Sequence, residues 1–191
     1  MHIHHYKLKI LLISMNYAPE LTGIGKYSSE MVDWFVEQGH SVKVICAPPY
    51  YPQWKIEKGH SSWKFKIEIS LNKRVYWCPV WVPLKSIGLK RLIHLASFAL
   101  SSFLVILRQI FWRPDVVICI EPPLFNCFSA IITSKFARAK SILHIQDFEI
   151  DAAFDLGIIK VGWLKHFIYI IDCFSTNQSK NFLVRSLSKS F

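Results

Sequence analysis

No stretch of this 191-residue chain reaches the roughly 20 consecutive apolar residues that a membrane-spanning helix needs. The longest candidate, Leu92 to Leu107, is 16 residues without a formal charge and carries His94 and three serines. It reads as a helix buried in the protein or docked on its surface. Its basic flanks, Lys90 and Arg91 before it and Arg108 and Arg113 after it, also suit an interfacial membrane helix; a span is the third reading. Ile10 to Met15 is too short for the apolar part of a signal peptide and runs directly into Asn-Tyr-Ala-Pro. There is no Cys-x-x-Cys. The five cysteines (46, 78, 119, 127, 173) are scattered, and Cys46 and Cys119 lie in apolar runs where cysteine acts as a small hydrophobe. A reduced, cytoplasmic compartment fits this usage. No Lys/Arg run or RNA-binding signature supports a nucleic-acid partner. No residues have metal-ligand spacing, and His2, His4 and His5 read as part of a disordered terminus over residues 1–8. Repeats and low-complexity linkers are absent. Negative charge is scarce, with 13 Asp and Glu against 23 Lys and Arg, a formal net charge of +10. That excess favours anionic partners such as phosphates or an acidic lipid surface.

What the chain has in quantity is apolar surface. Hydrophobic residues make up 52%, aromatics 15% and charged residues only 19%, with a mean hydropathy of +0.27, so a large core or membrane contact is expected. The length suffices for one sizeable domain or for half of a two-domain enzyme.

Lys9 to Met15 predicts a buried strand. Gly25 to Gln38 predicts a helix, with an apolar stripe at Tyr27, Met31, Trp34 and Phe35 and with Gly39 closing it. Ser41 to Ala47 predicts a second buried strand. A strand, helix, strand unit of this kind implies parallel pairing in a covered α/β sheet. Three prolines keep residues 48–54 out of regular structure. This loop is either a rigid connector or a cover for an acceptor. Residues 63–82 alternate loosely and read as extended strands or a hairpin. Val116 to Ile120 and Ser141 to Ile145 predict further buried strands; Leu124 to Ala137 and Val161 to Phe174 predict helices. The fold expected is α/β, a Rossmann-like doubly wound and mostly parallel sheet.

In such a sheet three strand ends converge: residues 19–25, 48–54 and 144–151. The first carries Gly23-Ile24-Gly25. A glycine pair between a strand and a helix lets backbone N–H groups approach a phosphate, though it also serves a plain tight turn. The third holds a dense set of titratable groups: His144, Asp147, Glu149 and Asp151. Asp147 sits where strand gives way to loop and can hold a hydroxyl. His144 lies within the strand, where a core histidine with a local hydrogen bond is an equal reading.

These motifs carry a resemblance. Asn16-Tyr17-x-Pro19-Glu20-x-Thr22-Gly23-Ile24-Gly25-Lys26-Tyr27, Gly39-His40-Ser41-Val42-x-Val44-Ile45, residues 47–54 and Leu143-His144-Ile145-Gln146-Asp147 stand in the order found in GT-B glycosyltransferases of the family-4 retaining type. The match resembles most the colanic-acid-type branch of bacterial exopolysaccharide clusters and covers residues 7 to about 180. It implies the first half of a GT-B fold: an acceptor-side domain over residues 9–180, then an atypical tail over 181–191. It also implies that the donor domain, with its Glu-x7-Glu pair, is absent here, since no two glutamates stand eight apart.

The implied activity is sugar transfer from a nucleotide-sugar to a saccharide or lipid-linked saccharide, with no cofactor and no metal. Asp147 and His144 would be catalytic; Gly23, Ile24, Gly25, Tyr50, Gln146 and Glu149 would bind substrate. Many relatives carry a catalytic histidine at the end of this strand. Matching through Asp147 puts Gln146 at that place, with His144 two residues earlier. The implied partners are a donor held by the second domain, an acceptor and an anionic membrane surface; the implied place is the cytoplasm, at the inner face of the plasma membrane. The alternative is a binding module without turnover that docks on a membrane or partner. A dinucleotide-binding oxidoreductase fits less well, because a third spaced glycine is missing and no acidic residue ends the second strand.

Overall fold

A computed structural model describes residues 6–21, 23–84, 88–121, 125–145 and 183–186. Its centre is strand β1, Lys9–Ser14, in which every residue after Lys9 is buried. Such a continuous apolar run suits a strand covered on both faces. β1 pairs in parallel with β2, Ser41–Cys46, on one side and with β5, Val116–Glu121, on the other. Between β2 and β5 in the chain come β3, Lys66–Ile69, and β4, Lys73–Trp77, which form an antiparallel hairpin. β6, Lys140–Ile145, and β7, Leu183–Ser186, extend the sheet beyond β5. The spatial order is β3-β4-β2-β1-β5-β6-β7, and every neighbouring pair except β3 with β4 is parallel. Without β3, this is the strand order of doubly wound nucleotide-binding folds.

Alternation along the strands makes two cores. Ile10, Leu12, Val42 and Val44 meet Val32 of helix α1, Gly23–Glu37, on one face. Leu11, Ile13, Ile45 and Val117 meet Phe98 and Ile106 of helix α2, Leu89–Arg108, on the other, joined there by Cys127 and Ala130 of helix α3, Phe125–Ala137. Full burial of a side chain such as Phe98 or Ile106 stabilises by about 1.5–3 kcal/mol. Gly39 ends α1 as expected: at φ 83 its N–H reaches Val36 O at 2.9 Å, and His40 N reaches Phe35 O at 3.0 Å.

α2 is the stretch for which the sequence allowed three readings. His94, Phe98, Ser102 and Ile106 form its buried stripe, one turn apart, so it is a docked helix. The segment Leu89–Trp112, which includes a 3₁₀ turn at Gln109–Trp112, is still long and apolar enough to cross a membrane by length and composition. Cysteines 46, 78, 119 and 127 are buried thiols, the last two 3.9 Å apart between sulfurs, and burial pushes the Cys46 thiol well above its usual range.

Three boundaries differ from the sequence reading. α1 begins at Gly23, so the glycine pair lies in its first turn and not in a loop before it. Residues 6–8 belong to the fold: Leu8 packs on the α1-side core, and its carbonyl accepts from Ser41 N at 2.8 Å. Residues 183–186, assigned to the tail, form a strand beside β6. Four residues containing Arg185 and Ser186 are too short and polar a run to stand out by periodicity. The helix expected over Val161 to Phe174 lies outside the described residues.

Candidate functional site

In an open α/β sheet, ligands bind beyond the carboxyl ends of the strands where the strand order reverses. Here that point lies between β1 and β5. The side chain that organises it is Glu20, which sequence reasoning did not single out. Glu20 is buried, although it stands in a proline-bearing connection. One carboxylate oxygen accepts Tyr50 N at 2.9 Å and Tyr51 N at 3.0 Å; the other accepts Asn16 Nδ2 at 2.8 Å. The carboxylate thus staples the β1–α1 connection to the loop after β2. Burial raises its pKa above the ordinary value; the Tyr51 and Tyr50 N–H groups and Asn16 pull the other way, and Glu57 adds to the rise. The sequence signal was weak, because a glutamate beside a proline usually faces water.

The two glycines serve different ends. Gly23 has φ +56, and a Cβ there would meet open space, so it is a conformational requirement at an exposed helix start. Gly25 is buried, and a Cβ on it would stand 2.7 Å from Glu20 Cβ and 3.0 Å from Glu20 Oε2. It makes room for the staple. Ile24 packs against the α1-side core. No residue of the first turn of α1 is itself acidic, but the Glu20 carboxylate packs against Gly25 in that turn.

Tyr50, expected to bind substrate, is turned inward. Its ring packs against His94 at 4.8 Å and Trp54 at 5.5 Å between centroids. The loop closes on itself through Lys55 N to Tyr50 O at 3.2 Å and Glu57 N to Pro49 O at 2.9 Å, and the Tyr50 and Trp54 rings seat it on His94 of α2. His94, also missed, is fully buried; Nδ1 pairs with Trp81 O at 2.6 Å, and burial lowers its pKa.

His144 is half-buried on β6, opposite Ile120, which in turn stands opposite Ser14. Its neighbour two residues back, Ile142, packs on the α1-side core, so alternation puts His144 on the face that carries α1. Strands about 4.8 Å apart leave His144 roughly 10 Å from Ser14 along the row. The structure therefore brings His144, the start of α1 and the Glu20 staple to one edge of the sheet. Gln146, Asp147 and Glu149 lie outside the described residues, as does Thr22. Among the described residues no group of His, Cys, Asp and Glu is arranged to hold a metal ion.

Residues 22–183 match the glycosyl transferase 4-like domain family. The chain is also 48% identical over 155 residues to the Escherichia coli (strain K12) protein named "Putative colanic acid biosynthesis glycosyl transferase WcaI". That alignment covers 81% of this chain and 38% of the relative, so the chain spans well under half of the relative's length. The match takes in the glycine pair, the Glu20 staple partners at 50 and 51 and the β6 histidine, and the strand order is the one a Rossmann-like half of such an enzyme requires. The chain belongs to the glycosyl transferase 4-like family.

Proposed function

We propose that the complete protein moves a sugar from a nucleotide-sugar to a saccharide or lipid-linked saccharide in exopolysaccharide synthesis, with retention of configuration. The acceptor hydroxyl oxygen bonds to the anomeric carbon as that carbon's bond to the nucleoside diphosphate breaks, and the hydroxyl proton passes to the departing diphosphate. This chain supplies the acceptor side; the donor is held by a second domain, and the reaction uses neither a metal nor a further cofactor. The observation that carries the reading is the amino end of α1 on the same sheet edge as His144, in a chain of this family. Helix amino ends favour anions, so the start of α1 suits a diphosphate or a phosphorylated acceptor across the cleft. Asp147 and His144 orient or polarise the acceptor hydroxyl. The staple bond between Glu20 and the Tyr50 and Tyr51 amides fixes the distance between the two loops that frame this edge. The +10 charge holds the protein peripherally at an anionic cytoplasmic membrane face, where a lipid-linked acceptor resides.

The test is a chimera in which this chain replaces the matching part of the Escherichia coli relative. Incubated with nucleotide-sugars and a lipid-linked saccharide, it is expected to consume donor and extend the acceptor. A folded chimera that binds acceptor without turnover would instead support the binding-module reading.

A further inference from the structure

The α2 face of the sheet is not fully covered. Toward β4 and β3 it opens into a groove of about 800 Å³. Lys43, Arg74 and Tyr76 line it from the strands, and Arg108 and Trp112 line it from the end of α2 and the turn after it. Lys66 also lines it and is paired with Glu68 at 2.9 Å; no carboxylate is among the lining side chains. Among the described residues, Lys43, Arg74 and Arg108 have no ion-pair partner. The Lys43 ammonium stands 4.3 Å from the Trp112 ring centroid and donates to Gln109 Oε1 at 2.9 Å. Burial, then the charges of Arg74, Lys9 and Arg108, lower its pKa to about 8. Crowded cations over aromatic rings, without an anion, leave an electrostatic demand that a phosphate meets.

Both rims of the groove are apolar and open. Phe65, Ile67 and Ile69 alternate along one face of the edge strand and its approach, and all are exposed. Phe111 lines the other side and is 88% exposed, and Leu100 and Leu104 on the outer face of α2 are 81% and 73% exposed. With Ile93 they recur at spacings of seven, four and seven residues, which is a single stripe on a helix, opposite the buried stripe. An exposed apolar edge strand beside such a stripe is a surface that monomeric proteins in water rarely leave uncovered. A small soluble anion would satisfy the cations and leave both rims bare.

We propose that this groove seats the phosphate of an anionic phospholipid, with Leu100, Leu104, Phe111, Ile67 and Ile69 entering the headgroup and acyl boundary around it. The proposal rests on the peripheral membrane reading above and adds the site that performs it. Lys43, Arg74 and Arg108 hold the phosphate; the aromatic rings lie at headgroup depth, where amphipathic side chains settle. The groove runs along β4 from Arg74 to Trp77, with its cations toward the amino ends, where Lys43 of β2 and Arg74 stand opposite each other. The loops of Gly23 and Tyr50 are at the carboxyl ends, so lipid contact leaves that edge open.

The experiment is co-sedimentation of the 191-residue chain with vesicles of phosphatidylcholine, with and without phosphatidylglycerol. Binding is expected only with the anionic lipid. Arg74→Gln with Arg108→Gln should weaken it about thirtyfold, at about fivefold per surface charge. A charge-matched control, Lys26→Gln with Lys58→Gln, should weaken it far less, and Leu100→Ser with Phe111→Ser should release the protein. Circular dichroism confirms that these exposed-site variants fold. Failure to bind any vesicle overturns the membrane reading and the groove with it. Anionic binding that ignores the groove variants overturns the groove alone. Calorimetric binding of inorganic phosphate without vesicle binding assigns the cations to a soluble anion, and a dimer that Leu100→Ser with Phe111→Ser dissociates assigns the rims to a second copy; either result overturns the proposal.

Discussion

Glu20 and Gly25 share one space: a Cβ on Gly25 would stand 2.7 Å from the Cβ of Glu20 and 3.3 Å from its backbone oxygen. The glycine therefore fixes where the carboxylate sits, and the carboxylate fixes the loop after β2. Gly25→Ala should cost about 1–3 kcal/mol as an overpacking change. Glu20→Ala should cost about 1–3 kcal/mol by leaving the Tyr50 and Tyr51 N–H groups without their acceptor. Because both disturb the same staple, the double variant should lose less than the sum. Additive losses in denaturant titrations, within about 0.5 kcal/mol, would show that the two sites act independently.

A buried histidine sets an acid-side limit. His94 is neutral in the fold because burial depresses its pKa below 6.5, although its bond to Trp81 O works the other way. The unfolded chain takes up the proton first, so the unfolded state binds more protons below pH 6.5 and the contribution of His94 is lost as pH falls toward the folded value. Melting temperature should fall on acidification across that window. His94→Asn should be less stable at neutral pH and should show a flatter decline. An unchanged slope in the variant would assign the acid loss to other groups.

The strands were legible because physics left few alternatives. Ile10 to Ile13 and Val116 to Ile120 are continuous apolar runs, and Val42 to Cys46 is one broken only by Lys43, a pattern that suits a sheet covered on both faces. The β3–β4 hairpin was legible from alternation. The exposure of its apolar side was not: Ile67 lines an open groove and Ile69 is exposed, because no helix among the described residues covers that end of the sheet. The glycine pair was found for the wrong half of its reason. Approach to a phosphate was expected of both, whereas Gly25 gives way to Glu20, a contact set by a loop 30 residues further on. The inward packing of the Tyr50 ring was not legible, since the pairing of Tyr50 with His94 joins two segments with no common local pattern.

Lys43 offers a separation of stability from function. Its depressed pKa means the fold pays for its charge at pH below about 8, and that cost fades as pH rises from there toward 10.5. Lys43→Met keeps the stem over Trp112 and removes the charge. The variant should melt at or above the temperature of the parent at neutral pH, and the difference should shrink at alkaline pH. The same variant should bind anionic vesicles about fivefold more weakly. A variant that is both less stable and equally retained on vesicles would make Lys43 a structural residue held by Gln109.

Under the proposed function Asp147 and His144 divide the work on the acceptor hydroxyl. His144 shares the α1 face of the sheet with Ile142, and Asp147 lies outside the described residues. In the chimera with the Escherichia coli relative, Asp147→Asn should lower turnover by about 10²–10⁴-fold, the range for losing an acid–base or orienting group, with little change in melting temperature. His144→Gln should cost less turnover and more stability, because a half-buried imidazole contributes through its surroundings. Donor consumption and thermal melts on the two variants decide between them. A silent Asp147→Asn beside an inactive but stable His144→Gln would move the catalytic role to the imidazole, two rows from the first turn of α1.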